Sequence, residues 1–216
     1  MKALFEKDIR LVLIRKSALF IYLFIGVVFT WQFSASFSGA YVTMLGTILA
    51  LSTLSYDDSD NCLQFLFTLP CTRRQYVAEK YLFVYGFSLV AGFLGLLIIA
   101  AAGIFKGTPL NGITILEVIS SELPILVVTG GIMIPLQMKF GPERSRAILL
   151  ALIGVILVIA FTASKIAGAD NALHSLVVTL DAMNPISVAV GLVLIMVLIS
   201  VISIMISMRI MTNREF

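Results

Sequence analysis

The sequence predicts an all-α membrane protein of six transmembrane helices. Three observations lead there. Of 216 residues, 60% are hydrophobic and 12% charged, whereas soluble domains usually carry about 25% charged residues. Mean hydropathy is +1.07, more apolar surface than a soluble chain of this length can hide. Apolar runs suited to a hydrocarbon core about 30 Å thick recur along the chain, and its basic residues cluster on alternate connections between them.

The first segment, Met1 to Lys16, sets Lys2, Glu6, Lys7, Asp8, Arg10, Arg15 and Lys16 against Leu4, Phe5, Ile9, Leu11, Leu13 and Ile14. Ile9, Leu13 and Lys16 share a helical stripe, with Leu4 and Phe5 a turn earlier. This suits an interfacial helix with its basic side towards lipid headgroups. Span one covers 17–33, close to the minimum of about 17 residues, and places Trp31 at the outer interface. The short polar stretch 34–39 makes spans one and two an antiparallel hairpin. Span two covers 40–54, with Gly46 permitting close helix approach.

The longest inner connection follows. Asp58, Ser59 or Asp60 can cap a short helix at 58–69, each offering a side-chain oxygen to the free N–H groups of a first turn. Leu63, Phe65, Leu66, Phe67 and Leu69 give that helix a broad apolar surface, and Pro70 ends it. Thr72-Arg73-Arg74-Gln75 is a capping-box pattern that starts a second helix leading into span three, 81–105. A small aromatic-faced helix pinned at the membrane surface, with a stiff helix running from it into the bilayer, has the parts of a lever.

Residues 106–112 form a turn containing Pro109 and Gly112. Span four, 113–138, contains Glu117, Glu122, Pro124, Gly130, Gly131 and Pro135. Either it is one long kinked helix, or 113–121 lies at the outer interface and the crossing starts near Leu123; the first reading is preferred. On it, Glu122 lies about 14 Å in at 1.5 Å per residue, where an ionisable group usually faces a cavity or a partner. On the second it is an interfacial residue. Glu122, Glu117 and, further on, Leu176 are candidates for a substrate path or gate. Residues 139–146 form a short basic loop with Lys139, Glu143, Arg144 and Arg146. Span five covers 147–164. In the outer segment 165–185, Asp170 or Asn171 can cap a short helix carrying Leu173, Leu176, Val177 and Leu180, which is too apolar for water and too short to cross. Span six covers 186–208. No repeat or linker interrupts the chain, so residues 1–216 read as one domain.

Six spans put both termini on one side. Thirteen of the fifteen Lys and Arg then face that side, leaving only Lys106 and Lys165 opposite, which makes the first side the cytosol. Cys62 and Cys71 fall there and are expected to be reduced. No cleavable signal peptide is evident.

Several chemistries find no support. A Gly-x-x-x-x-Gly-Lys-Ser/Thr loop is missing, so the chain is not expected to cradle ATP itself. One histidine, His174, cannot build a His-based zinc site, and a lone histidine in an outer segment reads as ordinary surface rather than as a catalytic residue. Asp57-Asp58-Ser59-Asp60 resembles half of a Mg²⁺-diphosphate site, but no second acidic cluster faces it in sequence; Glu6, Asp8, Glu79, Glu143 and Glu215 are isolated or beside basic residues. Solvated acids at a helix start are the simpler reading. The small net charge of +3 gives no reason to expect nucleic acid.

The acidic stretch, the amphipathic helix, Leu69-Pro70-Cys71-Thr72-Arg73-Arg74 and Lys80-Tyr81-Leu82 together resemble the ABC-2 type permeases of ATP-binding-cassette transporters. The match is tightest over 57–82, and the order of spans agrees along the chain. The resemblance implies a permease subunit in a bacterial cell membrane, without catalytic residues or a cofactor of its own. It implies an N-terminal elbow helix and a pair of permeases, identical or similar. Their partners would be two cytosolic ATPase subunits that bind ATP and Mg²⁺. The 58–69 helix would couple to the ATPase through Asp58, Asp60, Leu63, Phe65, Leu66, Phe67, Leu69, Arg73 and Arg74. Lys139, Glu143, Arg144 and Arg146 would form a second contact. Small members of this family include exporters of antimicrobial or cytolytic peptides, and a wall of Leu, Ile, Val and Phe suits an amphipathic or hydrophobic cargo. Outside the family, the same features would suit a membrane scaffold or sensor that recruits a cytosolic partner, or the Mg²⁺-diphosphate transferase.

Overall fold

The computed structural model describes residues 2–14, 16–58, 63, 66, 72–107, 111–165 and 185–213, and no strand occurs among them. Among the described residues these helices follow in order: α1 (Lys2–Ile14), α2 (Lys16–Gln32), α3 (Ala35–Asp58), α4 (Arg73–Lys106), α5 (Gly112–Lys165) and α6 (Pro185–Asn213). Among the described residues four helices are long and apolar enough to cross a membrane, or five if the bent pair α1–α2, 71° apart, is one span. The 54 residues of α5 would stretch about 81 Å if straight, well over twice the hydrocarbon thickness. The run breaks at Gly141, where φ is 77° and ψ 171°, a conformation essentially confined to glycine.

Several boundaries depart from the sequence expectation. Helix α3 begins at Ala35 rather than 40, so the hairpin turn after α2 shrinks to Phe33 and Ser34. It also ends four residues later than expected, at Asp58. Asp58 therefore closes this helix instead of capping the next, because the apolar packing of Leu51 and Leu54 carries the helix onward. The expected loop 139–146 is helical on both sides of Gly141. Span four is one helix from Gly112 onward, with Pro124 and Pro135 inside it. The segment 166–184, with His174 and Leu176, lies outside the described residues.

Helix α3 is the axle of the bundle and packs on α1, α2, α4 and α5; α6 packs on α4 and α5. The closest approach is at Gly46, where an added Cβ would lie 2.3 Å from the Ala91 Cβ of α4. At the opposite end from Asp58, the α2–α3 hairpin is closed by Phe29 stacked on Tyr41, centroids 4.3 Å apart. Lys106 there donates to the Thr30 and Trp31 carbonyls at 2.9 and 3.0 Å, satisfying the free C-terminal carbonyls of α2. Between α4, α5 and α6 runs a hydroxyl seam. Tyr81 Oη lies 2.5 Å from Ser203 Oγ and 2.8 Å from Ser207 Oγ, and Ser203 Oγ is 2.5 Å from the Gly131 carbonyl. Such bonds hold helices together where lipid supplies no hydrophobic drive.

Helix α1 turns a mixed face into the bundle. Asp8 and Val12 are buried and Phe5 packs edge-on against Phe83, while Ile9 and Leu13 are exposed. A charged residue takes the inward position because its counter-charges are waiting there.

Candidate functional site

Helix α1, the C-terminal end of α3 and the N-terminal end of α4 meet in a buried cluster of charges. Lys80, fully buried, pairs with Asp8 of α1 and, at 2.7 Å, with Asp57 of α3. Lys7 pairs with Asp57 at 2.5 Å and lies 3.4 Å from Asp8. The Tyr76 hydroxyl donates to Asp57 Oδ2 at 3.1 Å, and Lys80 donates to Thr53 Oγ1 at 3.5 Å. The first two turns of α4, Arg73 to Lys80, carry four of its charges and precede its apolar stretch, so the cluster stands at the charged end of the helix. Burying these groups is tolerable because each charge has an opposite partner and further hydrogen bonds.

The electrostatics follow from the inventory. Burial alone would lower the Lys7 pKa, but Asp57 and Asp8 beside it hold it above the usual lysine value. Burial would raise Asp57, yet Lys80 and Lys7 keep its carboxyl below the usual range. Two lysines and two aspartates already balance. Glu79, buried and without a hydrogen-bond partner among the described residues, is a fifth charge. Burial first, then Asp8 and Asp57, push its pKa to about 7 against the pull of Lys80 and Lys7. An acid whose folded pKa exceeds its unfolded value destabilises the fold as it ionises. We expect stability to fall as pH rises from about 4.5 to about 7. Glu79→Gln should flatten that window in pH-dependent thermal unfolding. Asp57 has the opposite sign: its contribution is lost only as pH falls below its unfolded value of 3.8, so the two effects separate.

This cluster stands at the root of the expected coupling segment. Of that segment the structure describes Leu63 and Leu66, both helical, both buried and both packed into the bundle core. Asp60, Phe65, Phe67, Leu69, Cys62 and Cys71 lie outside the described residues. Beyond the segment, Thr72 caps α4 with the expected capping box: its side chain accepts from the Gln75 N–H at 3.3 Å, while Gln75 Oε1 accepts from the Thr72 N–H at 3.2 Å. Arg73 turns to α6 and donates to the Met211 and Thr212 carbonyls at 3.2 and 2.7 Å; Arg74 is exposed.

The second inner connection reaches the same place. A Cβ on Gly141 would lie 2.9 Å from Asp58 Oδ2, so the break in α5 abuts the end of α3. Around it Lys139, Glu143, Arg144 and Arg146 are exposed, Lys139 lies over the Phe140 ring at 5.0 Å, and Ser145 caps the turn through the Pro142 carbonyl at 2.9 Å. An open cleft of about 550 Å³ between α5 and α6 carries Lys139 and Arg209.

Of the outer candidates, Glu117 is exposed and Glu122 is buried against α3 and α4. Among the described residues Asp58 of the first set reaches the Gly141 break that Lys139, Glu143, Arg144 and Arg146 flank; Glu122 is separate from both. Sequence reading took Asp57 as a solvated acid and Asp8 and Glu79 as isolated or beside basic residues. The structure corrects the first: Asp57 is buried and shares Lys7 and Lys80 with Asp8, so these two aspartates are ion-pair partners, and Glu79 packs beside them. Among the described residues no group of three or more acids, histidines or cysteines could hold a metal ion. One sequence signal pointed this way: Glu79-Lys80 directly precede an apolar span, where an unpaired charge is costly.

The family described as ABC-2 family transporter protein matches residues 3–212. No curated protein and no solved structure matches the chain.

Proposed function

The chain belongs to the ABC-2 transporter family, whose permeases work in general with an ATP-binding-cassette ATPase, and from that premise we propose that its 58–69 segment receives the ATPase's push. The observation that carries this reading is convergence at the root of that segment. Lys80, Lys7, Asp8 and Asp57 tie α1, α3 and α4 together, Arg73 holds the end of α6, and Asp58 touches the break in α5. A displacement there moves five helices as a unit.

In this reading Leu63 and Leu66 seat the coupling helix on the bundle. Phe65 and Phe67, with Asp60, Leu69 and Arg74, face the ATPase; buried aromatic side chains dominate such contacts. Lys139, Glu143, Arg144 and Arg146 make the second contact. ATP and Mg²⁺ are bound by the ATPase. Counting α2 as a span and α5 as two, divided at Gly141, gives six crossings with α1 as the interfacial elbow and both termini in the cytosol of a bacterial cell. Two permeases, identical or similar, enclose the route, and the cargo is an exported amphipathic or hydrophobic molecule, an amphipathic peptide being the first to test.

The experiment is reconstitution with the partner ATPase in lipid. Phe65→Ala with Phe67→Ala should reduce cargo-stimulated ATP hydrolysis about tenfold, the loss of ~1.4 kcal/mol of contact energy, while leaving the thermal unfolding of the permease unchanged. Leu63→Ala with Leu66→Ala should instead lower its stability. Full stimulation in the double Phe variant would overturn the assignment, and binding without ATP-dependent flux would favour a scaffold.

A further inference from the structure

Glu122 lies outside the inner cluster, and three glycines crowd it. On α3, a Cβ at Gly39 would lie 2.9 Å from Oε1; on α4, one at Gly92 would lie 2.7 Å from Oε2, and one at Gly95 3.7 Å from Oε1. The Thr43 hydroxyl of α3 joins the same face, 3.0 Å from the Gly92 position. Glu122 is only 8% exposed, and among the described residues its Oε1 has no hydrogen-bond partner. No charged side chain among the described residues faces it: α3 presents Gly39 and Thr43, α4 presents Gly92 and Gly95, and Val118 fills the neighbouring turn of α5. Glu117, on the same helix, is exposed.

A buried carboxylate without a counter-charge is far too costly to persist in a membrane domain. Something must neutralise it. Calcium and magnesium need six or more oxygen ligands, and this face supplies the carboxyl and one hydroxyl. The clearances to Gly39 and Gly92 also leave no room for a hydrated ion or an ammonium group between the carboxyl and the helix backbones. Only a proton fits.

We propose that Glu122 is a proton-binding latch that holds α5 against α3 and α4. Carrying its proton, the neutral carboxyl lies against the glycines, and Ser121 beside it pins the same turn of α5 to α3 by donating to the Ser36 carbonyl at 3.0 Å. When α5 parts from α3 and α4 and water enters, the proton passes to water and a carboxylate remains. That carboxylate cannot return to the glycine face until it takes a proton back. The seam therefore closes with uptake of one proton and opens with its release. Its use in transport rests on the permease reading; the protonation does not.

The test is infrared titration of the full-length chain in lipid nanodiscs, performed in a Glu79→Gln background so that the inner cluster contributes no neutral glutamic acid near pH 7. We expect a protonated-carboxyl C=O band at neutral pH, absent from the Glu79→Gln/Glu122→Gln chain. Gly92→Ala keeps the acid but pushes its carboxyl towards water, and should move the titration midpoint down by at least one pH unit, tenfold in proton affinity. It also covers the event that Glu122→Gln fails to fold. No band at neutral pH, a band that survives Glu122→Gln, or a midpoint indifferent to Gly92→Ala would overturn the proposal. A band that behaves as expected in a chain that shows no ATPase coupling would sink the permease mechanism and leave the latch standing.

Discussion

Lys80→Met is expected to destabilise the protein by about 3–5 kcal/mol, the range seen when one partner of a buried ion pair is removed. Lys80 has no solvent exposure, and it bridges Asp8 of α1 to Asp57 of α3. Methionine fills much of the same volume but leaves two buried carboxylates sharing Lys7 alone, with Glu79 beside them. The cost lies in the stranded anions rather than in lost packing. Asp8→Leu added to Lys80→Met should therefore recover a large part of the stability, since an apolar pair of similar volume can replace a buried ion pair at little cost. Thermal or denaturant unfolding of the four chains in a double-mutant cycle measures this. If the double variant is as unstable as the sum of the two singles, the cluster does not act as a unit and the stranded-charge account is wrong.

Gly46→Ala should be the second large effect, although it adds a single methyl. That methyl would stand 2.3 Å from the Cβ of Ala91. Neither atom can rotate away, because both are bonded directly to helix backbone. Helices α3 and α4 must separate, at a cost of about 1–3 kcal/mol for overpacking, and the change reaches the inner cluster, which the same two helices carry. Ala91→Gly removes the opposing methyl and should restore the approach in the double variant, the helix cost of about 1 kcal/mol for the new glycine being offset by the glycine lost at position 46. Unfolding measurements on the two singles and the double decide it: a Gly46→Ala chain as stable as the parent, or one that Ala91→Gly fails to rescue, would mean that this contact does not set the α3–α4 spacing.

The two effects differ in how far they could be read in advance. Gly46 was legible as a point of close approach, because a small residue amid apolar ones in a span marks a packing site; that Ala91 lies opposite was not. The capping box at Thr72 and Gln75 was fully legible, since both partners lie within one helical turn. Lys80 was not legible as the hub of a cluster, because its partners Asp8 and Asp57 lie 72 and 23 residues away along the chain. Of the three cap candidates Asp58, Ser59 and Asp60, the first lies in the last turn of α3, because the packing of α3 carries that helix through it, while a carboxylate there suits an N-cap locally. Glu122 was left between the membrane and its surface, as hydropathy registers composition and not which face a residue turns inward.

By itself the sequence determined the class of molecule, its family and the capping box that starts α4, because hydrophobic length, local capping and short motifs act over neighbouring residues and need no distant partner. Only the tertiary structure decided which charges are buried, which carboxyl stands alone among glycines, and that the two inner connections meet at Asp58 and Gly141. Those depend on helices brought together from opposite ends of the chain. In the low dielectric of a packed bundle, a charge is stable or ruinous according to what lies within a few ångströms of it, whatever its place in the sequence.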